Sequence, residues 1–598
     1  MPRRTPNLVI TIPPAGPVPP TPSRPSWRPT ARPLLRIFPW AVACTLILWI
    51  YLLRADKPPL RLHSPEHHPP IDGHKPHPFH PQNQNGEDSA VVTWEKRSER
   101  VKTAFLHAYD SYTEFATGFD ELLPLSAKGI DRSEGWRATL YDSLTTLHVM
   151  AIRDTFRRSL AIIAKRNVWP KEKYVRFQDA VSRQLGTLLS SYALSGEPVL
   201  LTMADDLASQ LLFAFNTTHG LPAAVIDVIS GKLPQDLVDR HSNMSWASIQ
   251  TSQLEMKYLA HITGRPYYYN KTETVMTIVH NSQSASTMIP VTWRVDTGLP
   301  ITFENALSSE NYHALDTLLK QWILTAKSDR RTLDLYLKYV NIILNQLLFV
   351  TEKRGLLYLS DIKDGLPIHT FHQQQCAFPG LLALGVHALG ISLPLKEREL
   401  HLWAAQGLAY TCWVTYGDQT SGLSPELVQM KAWTSSTGEL LGQWMPHLRE
   451  WETKGKKGNG PPGTAQNDKY FSSEDERDYT ILDHQHRLRP ELSQTFYLLW
   501  RTTKNSRWRD RAWSIFESLE LHARTEHGYA TLLDVERVPP PLKDEMPSYF
   551  LGQTLKYLYL IFSNDDTVAV NSWVFNIHGH PLPVFHWSDW EKEIFQIT

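Results

Sequence analysis

The sequence predicts an all-α fold for most of the chain, preceded by a single transmembrane helix and a disordered stem. Apolar residues recur at the helical period in many long segments, which indicates amphipathic helices. Three pairs of these segments are joined by short polar turns, as in helical hairpins. Near the N-terminus an uninterrupted apolar run has the composition of a membrane-spanning helix.

The apolar run extends from Ile37 to Leu53, close to the short limit of about 17 residues for a spanning helix. Several arginines and no acidic residue precede it, so the positive-inside rule places the N-terminus in the cytosol. The alternative is a cleaved signal peptide. The long basic arm argues against it, as does the lack of a small-residue cleavage site near Tyr51. The predicted parts are a cytosolic arm 1–36, a signal anchor 37–53, a stem 54–93 and a lumenal domain 94–598.

The predicted stem is dense in proline and histidine, with His63, His67 and His74 set among prolines. Such a segment buries no core and is expected to be an extended spacer. A histidine-rich metal tract is the functional alternative, but the spacing gives no fixed ligand geometry.

Three segments share the plan of helix, short turn and second helix. The turns contain Gly196-Glu197-Pro198, Gly264-Arg265-Pro266 and Lys504-Asn505-Ser506. Glycine ends a helix and proline is tolerated in the first turn of the next, so this chemistry favours antiparallel helix pairs. The predicted helices are Val101–Thr117, Leu185–Leu194, Val199–Phe213, Leu254–Ile262, Tyr267–Val279, Leu315–Leu324, Thr332–Leu348, Pro379–Leu389, Leu400–Tyr416, Thr495–Arg501, Trp508–His522 and Phe550–Phe562. Repeated helix pairs must stack into a solenoid or close into a ring, and periodicity alone does not decide between them.

The chain has 61 basic and 61 acidic residues, so it carries no net positive charge that would attract nucleic acid. Cys44 lies in the predicted anchor, which leaves Cys376 and Cys412 as a possible lumenal disulfide or as two buried thiols. Sequons for N-glycosylation begin at Asn216, Asn243 and Asn270, which fits a lumenal domain.

The run Arg489-Pro490-Glu491 places a carboxyl group after a corner at the start of an apolar helix. It resembles the Arg-Pro-Glu signature of the class I α-1,2-mannosidases, glycoside hydrolase family 47. Similar elements are Phe119 to Ser126, Ala138 to Leu147 and Asn576 to Leu582, so the resemblance covers most of residues 101–582. It implies an (α/α)7 barrel with the site at its centre, and a disulfide between Cys376 and Cys412.

The family hydrolyses terminal α-1,2-linked mannose with inversion, which needs a carboxyl acid and a carboxylate base. The resemblance makes Glu491 the base and Asp179 the acid, where the family has glutamate. Arg183 is kept and is expected to bind sugar or orient Asp179. Tyr312 stands where the family has a further aspartate.

The resemblance also implies a calcium ion held by a threonine near the C-terminus. Here Ile577 takes that position and offers only a backbone carbonyl, and His578 replaces the glutamate that follows. Further family glutamates align with Pro547, Gln553, Ser248 and Gln494. Calcium binding is therefore expected to be weakened or lost.

Retained charged residues are predicted to line a substrate pocket: Asp120, Glu121, Asp142, Arg183, Glu255, Glu426 and Arg489. Each acid has the alternative of a structural role as a helix cap or ion-pair partner. The predicted function is an α-1,2-mannosidase-like glycosidase acting on high-mannose N-glycans in the endoplasmic reticulum or Golgi membrane. The alternative is a catalytically impaired pseudoenzyme that binds such glycans as a lectin-like module.

Overall fold

The computed structural model describes residues 87–165, 170, 173–234, 243–282, 288–434, 441–458, 460–466, 470–471, 473 and 475–597. The predicted arm, anchor and nearly all of the predicted stem lie outside these residues. The first helix begins at Glu87, ahead of the predicted start at Val101, and takes in the last positions assigned to the stem.

Helices dominate the described part of the chain. In order they are α1 Glu87–Phe115, α2 Ala138–Val149, α3 Arg153–Ala164, α4 Gly186–Ser195, α5 Pro198–Leu211, α6 Trp246–Gln250, α7 Gln253–Thr263, α8 Pro266–Asn281, α9 Ser309–Leu324, α10 Arg330–Gln346, α11 Phe378–Leu389, α12 Leu395–Gly417, α13 Trp444–Thr453, α14 Glu491–Thr503, α15 Arg507–His522, α16 Leu555–Phe562 and α17 Asp589–Phe595. Two π-helices, Ala180–Leu185 and Phe550–Thr554, lead directly into α4 and α16.

Seven helices form an inner ring in which each packs against the next: α2, α4, α7, α9, α11, α14 and α16. The π-helix Phe550–Thr554 packs against α2 and closes the ring. An outer helix packs against each inner one: α1, α3, α5, α8, α10, α12 and α15. Inner and outer helices alternate along the chain, so the pairs close into the (α/α)7 barrel that the resemblance implies.

The turn chemistry of the helical hairpins is as the sequence predicts. Gly196 and Gly264 end α4 and α7 with φ angles of 73° and 65°, a conformation that glycine adopts without a Cβ penalty. Pro198 and Pro266 then occupy the first turns of α5 and α8, where a missing N–H is harmless.

Short antiparallel strands connect the helices, a feature that the all-α prediction leaves out. They are β1 Glu121–Leu123, β2 Lys128–Ile130, β3 Val175–Arg176, β4 Val225–Ile226, β5 Asn243–Ser245, β6 Ile289–Arg294, β7 Leu299–Glu304, β8 Leu348–Val350, β9 Leu357–Leu359, β10 Ile362–Lys363, β11 Leu366–Pro367, β12 Thr370–His372, β13 Leu427–Met430, β14 Tyr479–Asp483, β15 Arg524–Thr525, β16 Gly528–Tyr529, β17 Thr531–Leu532, β18 Leu542–Lys543, β19 Trp573–Phe575 and β20 Pro581–Pro583. The largest sheets have three strands, in the orders β5-β6-β7 and β12-β13-β14.

A disulfide joins Cys376, just before α11, to Cys412 in α12. Both cysteines are fully buried, and the bond closes a loop with a sequence separation of 36 residues. We expect the double variant Cys376→Ala/Cys412→Ala to lose about 3–5 kcal/mol of unfolding free energy, because the unfolded chain regains the freedom of that loop. Urea unfolding of both proteins measures the difference, and equal midpoints with equal slopes would contradict it.

Two helical stretches in the described part, Pro198–Phe215 and Gln373–Ser392, are long and apolar enough to cross a membrane by composition. Both belong to the barrel, and Gln373–Ser392 is largely buried within it. Core helices of large folds pass the same test. The side chains of Asn216, Asn243 and Asn270 are exposed on the described surface, as glycosylation requires.

Candidate active site

A cavity of about 210 Å³ lies among residues of several inner helices. Its walls come from α9, α14, both π-helices and the turn after β19. It brings together five of the predicted site residues: Asp179, Arg183, Arg489, Glu491 and Ile577. A larger cavity of about 300 Å³ lies in the barrel wall, but Asp206 is the single acid among its described lining residues. Another cavity, of about 340 Å³, is lined by Glu273 and Asp329, but both are ion-paired with Arg331 and neither is a predicted site residue. The cavity of about 210 Å³ is therefore the candidate site.

Glu491 reaches this cavity because the chain turns sharply before α14. Leu488 has a φ of 58°, and Pro490 directly precedes the helix, so Glu491 is its first residue. The side chain is mostly buried, with an exposed fraction of 17%, and burial raises the pKa of Glu491 although Arg489 opposes the shift. Glu491 Oε2 is buried without a hydrogen-bond partner among the described residues.

Arg489 lies between two acids. Its Nε donates to Glu426 Oε2 at 2.6 Å, and its Nη1 is 3.8 Å from Glu491 Oε1. The Arg487 backbone N–H donates to the other oxygen of Glu426 at 3.2 Å. The carboxylate of Glu426 is thus fully engaged in holding the corner, and Arg489 couples that corner to Glu491.

Asp179 also lines this cavity and lies just before the first π-helix. Arg176 Nη2 is 2.6 Å from Asp179 Oδ2, and His578 Nε2 is 3.8 Å from Asp179 Oδ1. Burial acts to raise the pKa of Asp179, but His578, Arg183 and Arg176 outweigh it and hold the pKa well below its ordinary value. Asp179 is therefore ionised throughout the neutral range.

Buried polar atoms without partners surround the cavity. Three such atoms are Arg183 Nη1, His313 Nδ1 and Glu491 Oε2, which have no hydrogen-bond partner among the described residues. A buried donor or acceptor without a partner costs about 1–3 kcal/mol. The residues around the cavity therefore carry hydrogen-bonding capacity that the described residues leave unmet.

The sequence profile of Glycosyl hydrolase family 47 matches residues 104–584, which is most of the barrel. The chain belongs to glycosyl hydrolase family 47. A mannosyl-oligosaccharide 1,2-alpha-mannosidase of Arabidopsis thaliana is 29% identical over 529 residues, covering 82% of this chain and 80% of that protein. The endoplasmic reticulum mannosyl-oligosaccharide 1,2-alpha-mannosidase of Mus musculus is 29% identical over 501 residues, covering 82% of this chain and 68% of that protein.

Among solved structures, an alpha-1,2-mannosidase from Trichoderma reesei has the same fold, with a TM-score of 0.70. The similarity covers 82% of this chain and 99% of that one, at 22% sequence identity. Membership of family 47 makes this chain a family glycosidase, related to mannosyl-oligosaccharide 1,2-alpha-mannosidases.

Five acids predicted to contact substrate are not among the residues that line the cavity. Asp120 accepts hydrogen bonds from four backbone N–H groups, and Glu121 accepts one from Ser548 at 2.9 Å. Asp142 pairs with Arg183 Nε at 3.1 Å. Glu255 accepts from Asn576 at 2.7 Å, and Glu426 holds the corner before α14. Their predicted substrate contacts stay predictions.

Glu255 is fully enclosed, and burial raises its pKa to about 7 although Asn576 opposes the shift. The folded protein thus binds this proton more tightly than the unfolded chain, whose glutamate pKa is about 4.3. Stability contributed by Glu255 is full below about 4.3 and is lost as pH rises to about 7.

We therefore expect Glu255→Gln to raise the unfolding free energy at pH 8 by on the order of 1–3 kcal/mol, with little change at pH 4. Gln keeps an oxygen for Asn576. Chemical denaturation across pH measures the effect, with exposed Glu397→Gln as the control. A difference that is constant with pH would contradict the assignment.

Sequence reasoning missed three polar wall residues, Asp316, Lys320 and His313. Lys320 Nζ is 2.6 Å from Asp316 Oδ2, and both side chains are almost fully buried in α9. His313 borders the cavity, and burial lowers its pKa to about 4. The signal for the pair was present, because Asp and Lys four residues apart on an apolar helix can form an ion pair.

The residues at the family calcium position do not fit calcium. The ion prefers six to eight oxygen ligands, and Ile577 offers a carbonyl alone. The acids of the cavity already have cationic neighbours, namely Arg176 for Asp179, Lys320 for Asp316 and Arg489 for Glu491. Among the described residues no group of three or more His, Cys, Asp or Glu side chains is arranged to hold a metal ion. No step of the chemistry is therefore assigned to calcium.

Proposed function

We propose that this protein hydrolyses terminal α-1,2-linked mannose of high-mannose N-glycans, with inversion at the anomeric carbon. The observation that carries the proposal is that two carboxyl groups, Asp179 and Glu491, line one cavity in contrasting environments. An inverting glycosidase needs one protonated and one ionised carboxyl, and contrasting surroundings are how proteins keep two acids in different states.

The cavity supports a sugar ligand in its size and polarity. Its volume of about 210 Å³ suits a single terminal residue rather than an oligosaccharide. Its lining includes the charged side chains of Arg183 and Glu491, which are suited to hydrogen-bond ring hydroxyls. The substrate class itself is carried over from the mannosidase relatives, whose names state it.

Release of free mannose from an oligomannose N-glycan tests the proposal. The purified lumenal domain is assayed with added calcium and with chelator, and the first product is followed by NMR. We expect release of the inverted, β-configured anomer, with little dependence on calcium. No release under either condition would refute it.

A second candidate function, a lectin-like module that binds high-mannose glycans without turnover, is favoured by Ile577 and His578 at the calcium position and by Tyr312. Burial raises the pKa of the Tyr312 phenol well above its usual value, so it cannot replace the family aspartate as a base. Glycan binding measured by calorimetry, with no mannose released, would favour this candidate.

We also propose a type II topology in the endoplasmic reticulum or Golgi membrane, with residues 94–598 in the lumen. The apolar run Ile37–Leu53 and the arginines before it support this placement. Glycosidase-sensitive mass shifts at Asn216, Asn243 or Asn270 in microsomes test it. A full-length chain that bears no glycan and is digested by external protease would contradict it.

A further inference from the structure

We infer that Arg176 is a positioning residue that, together with Glu134, fixes the direction of the Asp179 carboxylate. The inference rests on the hydrolysis proposed above, in which Asp179 is one of the two carboxyl groups of the candidate active site. The family resemblance gives Arg176 and Glu134 no role. The inference concerns how Asp179 is held in place, and it is the same whichever proton transfer Asp179 performs.

Each oxygen of Asp179 faces a different basic side chain. Arg176 Nη2 lies 2.6 Å from Oδ2, and His578 Nε2 lies 3.8 Å from Oδ1. His578 lines the cavity, whereas Arg176 is not among the residues that line it. Because the two oxygens of a carboxylate are rigidly joined, the ion pair at Oδ2 also sets the direction of Oδ1, which lies on the side of His578.

Arg176 is itself fixed at two points. Its backbone lies in β3, which pairs with β4 so that Arg176 is opposite Val225. Its Nε donates to Glu134 Oε1 at 3.0 Å, while Nη2 contacts Asp179. A guanidinium is planar and carries its N–H groups in a rigid fork, so the bond to Glu134 limits the orientation in which Nη2 meets Asp179.

Glu134 is held by the loop between β2 and α2. The N–H groups on either side of it, those of Ser133 and Gly135, donate to the buried Asp120 carboxylate at 2.7 and 2.9 Å. Glu134 itself has a φ of 57°, a conformation that residues other than glycine rarely keep unless the surroundings impose it. A continuous series of contacts thus runs from Asp120 through Glu134 to the guanidinium that contacts the Asp179 carboxylate.

An ordinary surface ion pair is the alternative explanation of the Arg176 contacts. The Arg176 side chain is 58% exposed, and exposed ion pairs contribute little to folding stability. The two explanations therefore predict different results when Arg176 is removed. A surface pair predicts nearly unchanged stability and unchanged turnover, whereas a positioning role predicts nearly unchanged stability with a loss of turnover.

Replacement of Arg176 by Met in the full-length protein, purified in detergent, separates the two explanations. We expect kcat on α-1,2-mannobiose to fall about 10- to 100-fold, because displacement of a reacting group by about 1 Å can cost about 100-fold. KM is expected to change by less than about twofold, since Arg176 does not line the cavity. Arg176→Lys is expected to lose less, because lysine keeps the charge without the rigid fork.

Arg157→Met is the matched control, because Arg157 forms another exposed pair with an acid three residues away, 3.5 Å from Asp154. Glu134→Gln keeps an acceptor for Arg176 Nε, so it is expected to lose less kcat than Glu134→Ala. Because Glu134 acts through Arg176, the double variant Glu134→Ala/Arg176→Met is expected to lose no more kcat than Arg176→Met alone. Circular dichroism and urea unfolding measure the folded fraction of every variant.

The outcomes separate this inference from the proposed function. If the wild type releases mannose and kcat of Arg176→Met stays within about twofold of it, the positioning role is overturned and the hydrolase stands. A loss of activity that only follows a lower folded fraction has the same consequence. Losses that simply add in the double variant would overturn the part assigned to Glu134. A folded wild-type protein that releases no mannose would overturn the proposed function, and this inference with it.

Discussion

Replacement of Arg489 by Met is expected to reduce mannose release at least about 100-fold and to lower the unfolding free energy by on the order of 3–5 kcal/mol. Arg489 is the cation that joins Glu426, at 2.6 Å, to Glu491, at 3.8 Å. Its loss leaves two enclosed carboxyls without a compensating charge, and the corner before α14 loses its anchor. Displacement of Glu491 by about 1 Å is enough for the activity loss.

The pH profile distinguishes this positioning role from general destabilisation. Without Arg489 the pKa of Glu491 should rise further, because burial would be unopposed by that cation. The limb of the kcat/KM profile that reports the titration of Glu491 is then expected to move to higher pH in Arg489→Met, at temperatures well below its unfolding midpoint. Urea unfolding and mannose release over pH measure the two effects.

Arg487→Met is the matched control, since Arg487 is two residues away and its side chain is partly exposed, 3.5 Å from Asp483. Arg489→Lys is expected to be intermediate, because lysine keeps the charge but not the guanidinium fork. An Arg489→Met protein with wild-type stability and an unchanged pH profile of kcat/KM would contradict the role assigned to Arg489.

The helices were largely predictable because their signals are local. Gly196 and Pro198 mark one hairpin, Gly264 and Pro266 another, and the structure has helix ends at these residues. Ring closure was not predictable from periodicity, since it depends on the contact between the Phe550–Thr554 π-helix and α2, far apart in sequence. The family resemblance supplied what local pattern could not.

The β-hairpins were missed although one carried a clear signal. Ile289–Arg294 and Leu299–Glu304 are rich in β-branched and aromatic residues, and Asp296-Thr297-Gly298 lies between them. Such runs around an Asp and Gly turn predict a hairpin. These short connecting segments lack the helical period, so a prediction based on that period leaves them out.

The site was predictable at the level of motifs and not at the level of contacts. Asp179 and Glu491 were singled out from sequence, and they line one cavity. The pKa of Asp179 is lowered by its neighbours Arg176 and His578, and Arg489 lies 3.8 Å from Glu491. The sequence does not give these distances. The sequence likewise does not tell whether a given acid will bind a sugar hydroxyl or accept hydrogen bonds from backbone N–H groups.

Asp120 is the clearest example, and its replacement by Ala is expected to cost on the order of 3–5 kcal/mol of unfolding free energy. Its carboxylate is fully buried and accepts from the backbone N–H groups of Arg132, Ser133, Gly135 and Ala138 at 2.7–3.1 Å. These charge-assisted bonds hold the loop between β2 and α2. Alanine would leave several buried donors unsatisfied, at about 1–3 kcal/mol for each.

Asp120→Asn is expected to lie between wild type and Asp120→Ala, because its amide keeps one acceptor oxygen and adds donors that face other donors. Exposed Asp110→Ala on α1 should change stability by no more than about 0.5 kcal/mol. Chemical denaturation compares the four proteins, and mannose release is measured where each remains folded. A sugar-binding role predicts the opposite pattern, with unchanged unfolding and a raised KM. Because the four donors belong to one loop, the structural role predicts that stability and the folded fraction fall while KM of the remaining folded protein stays the same.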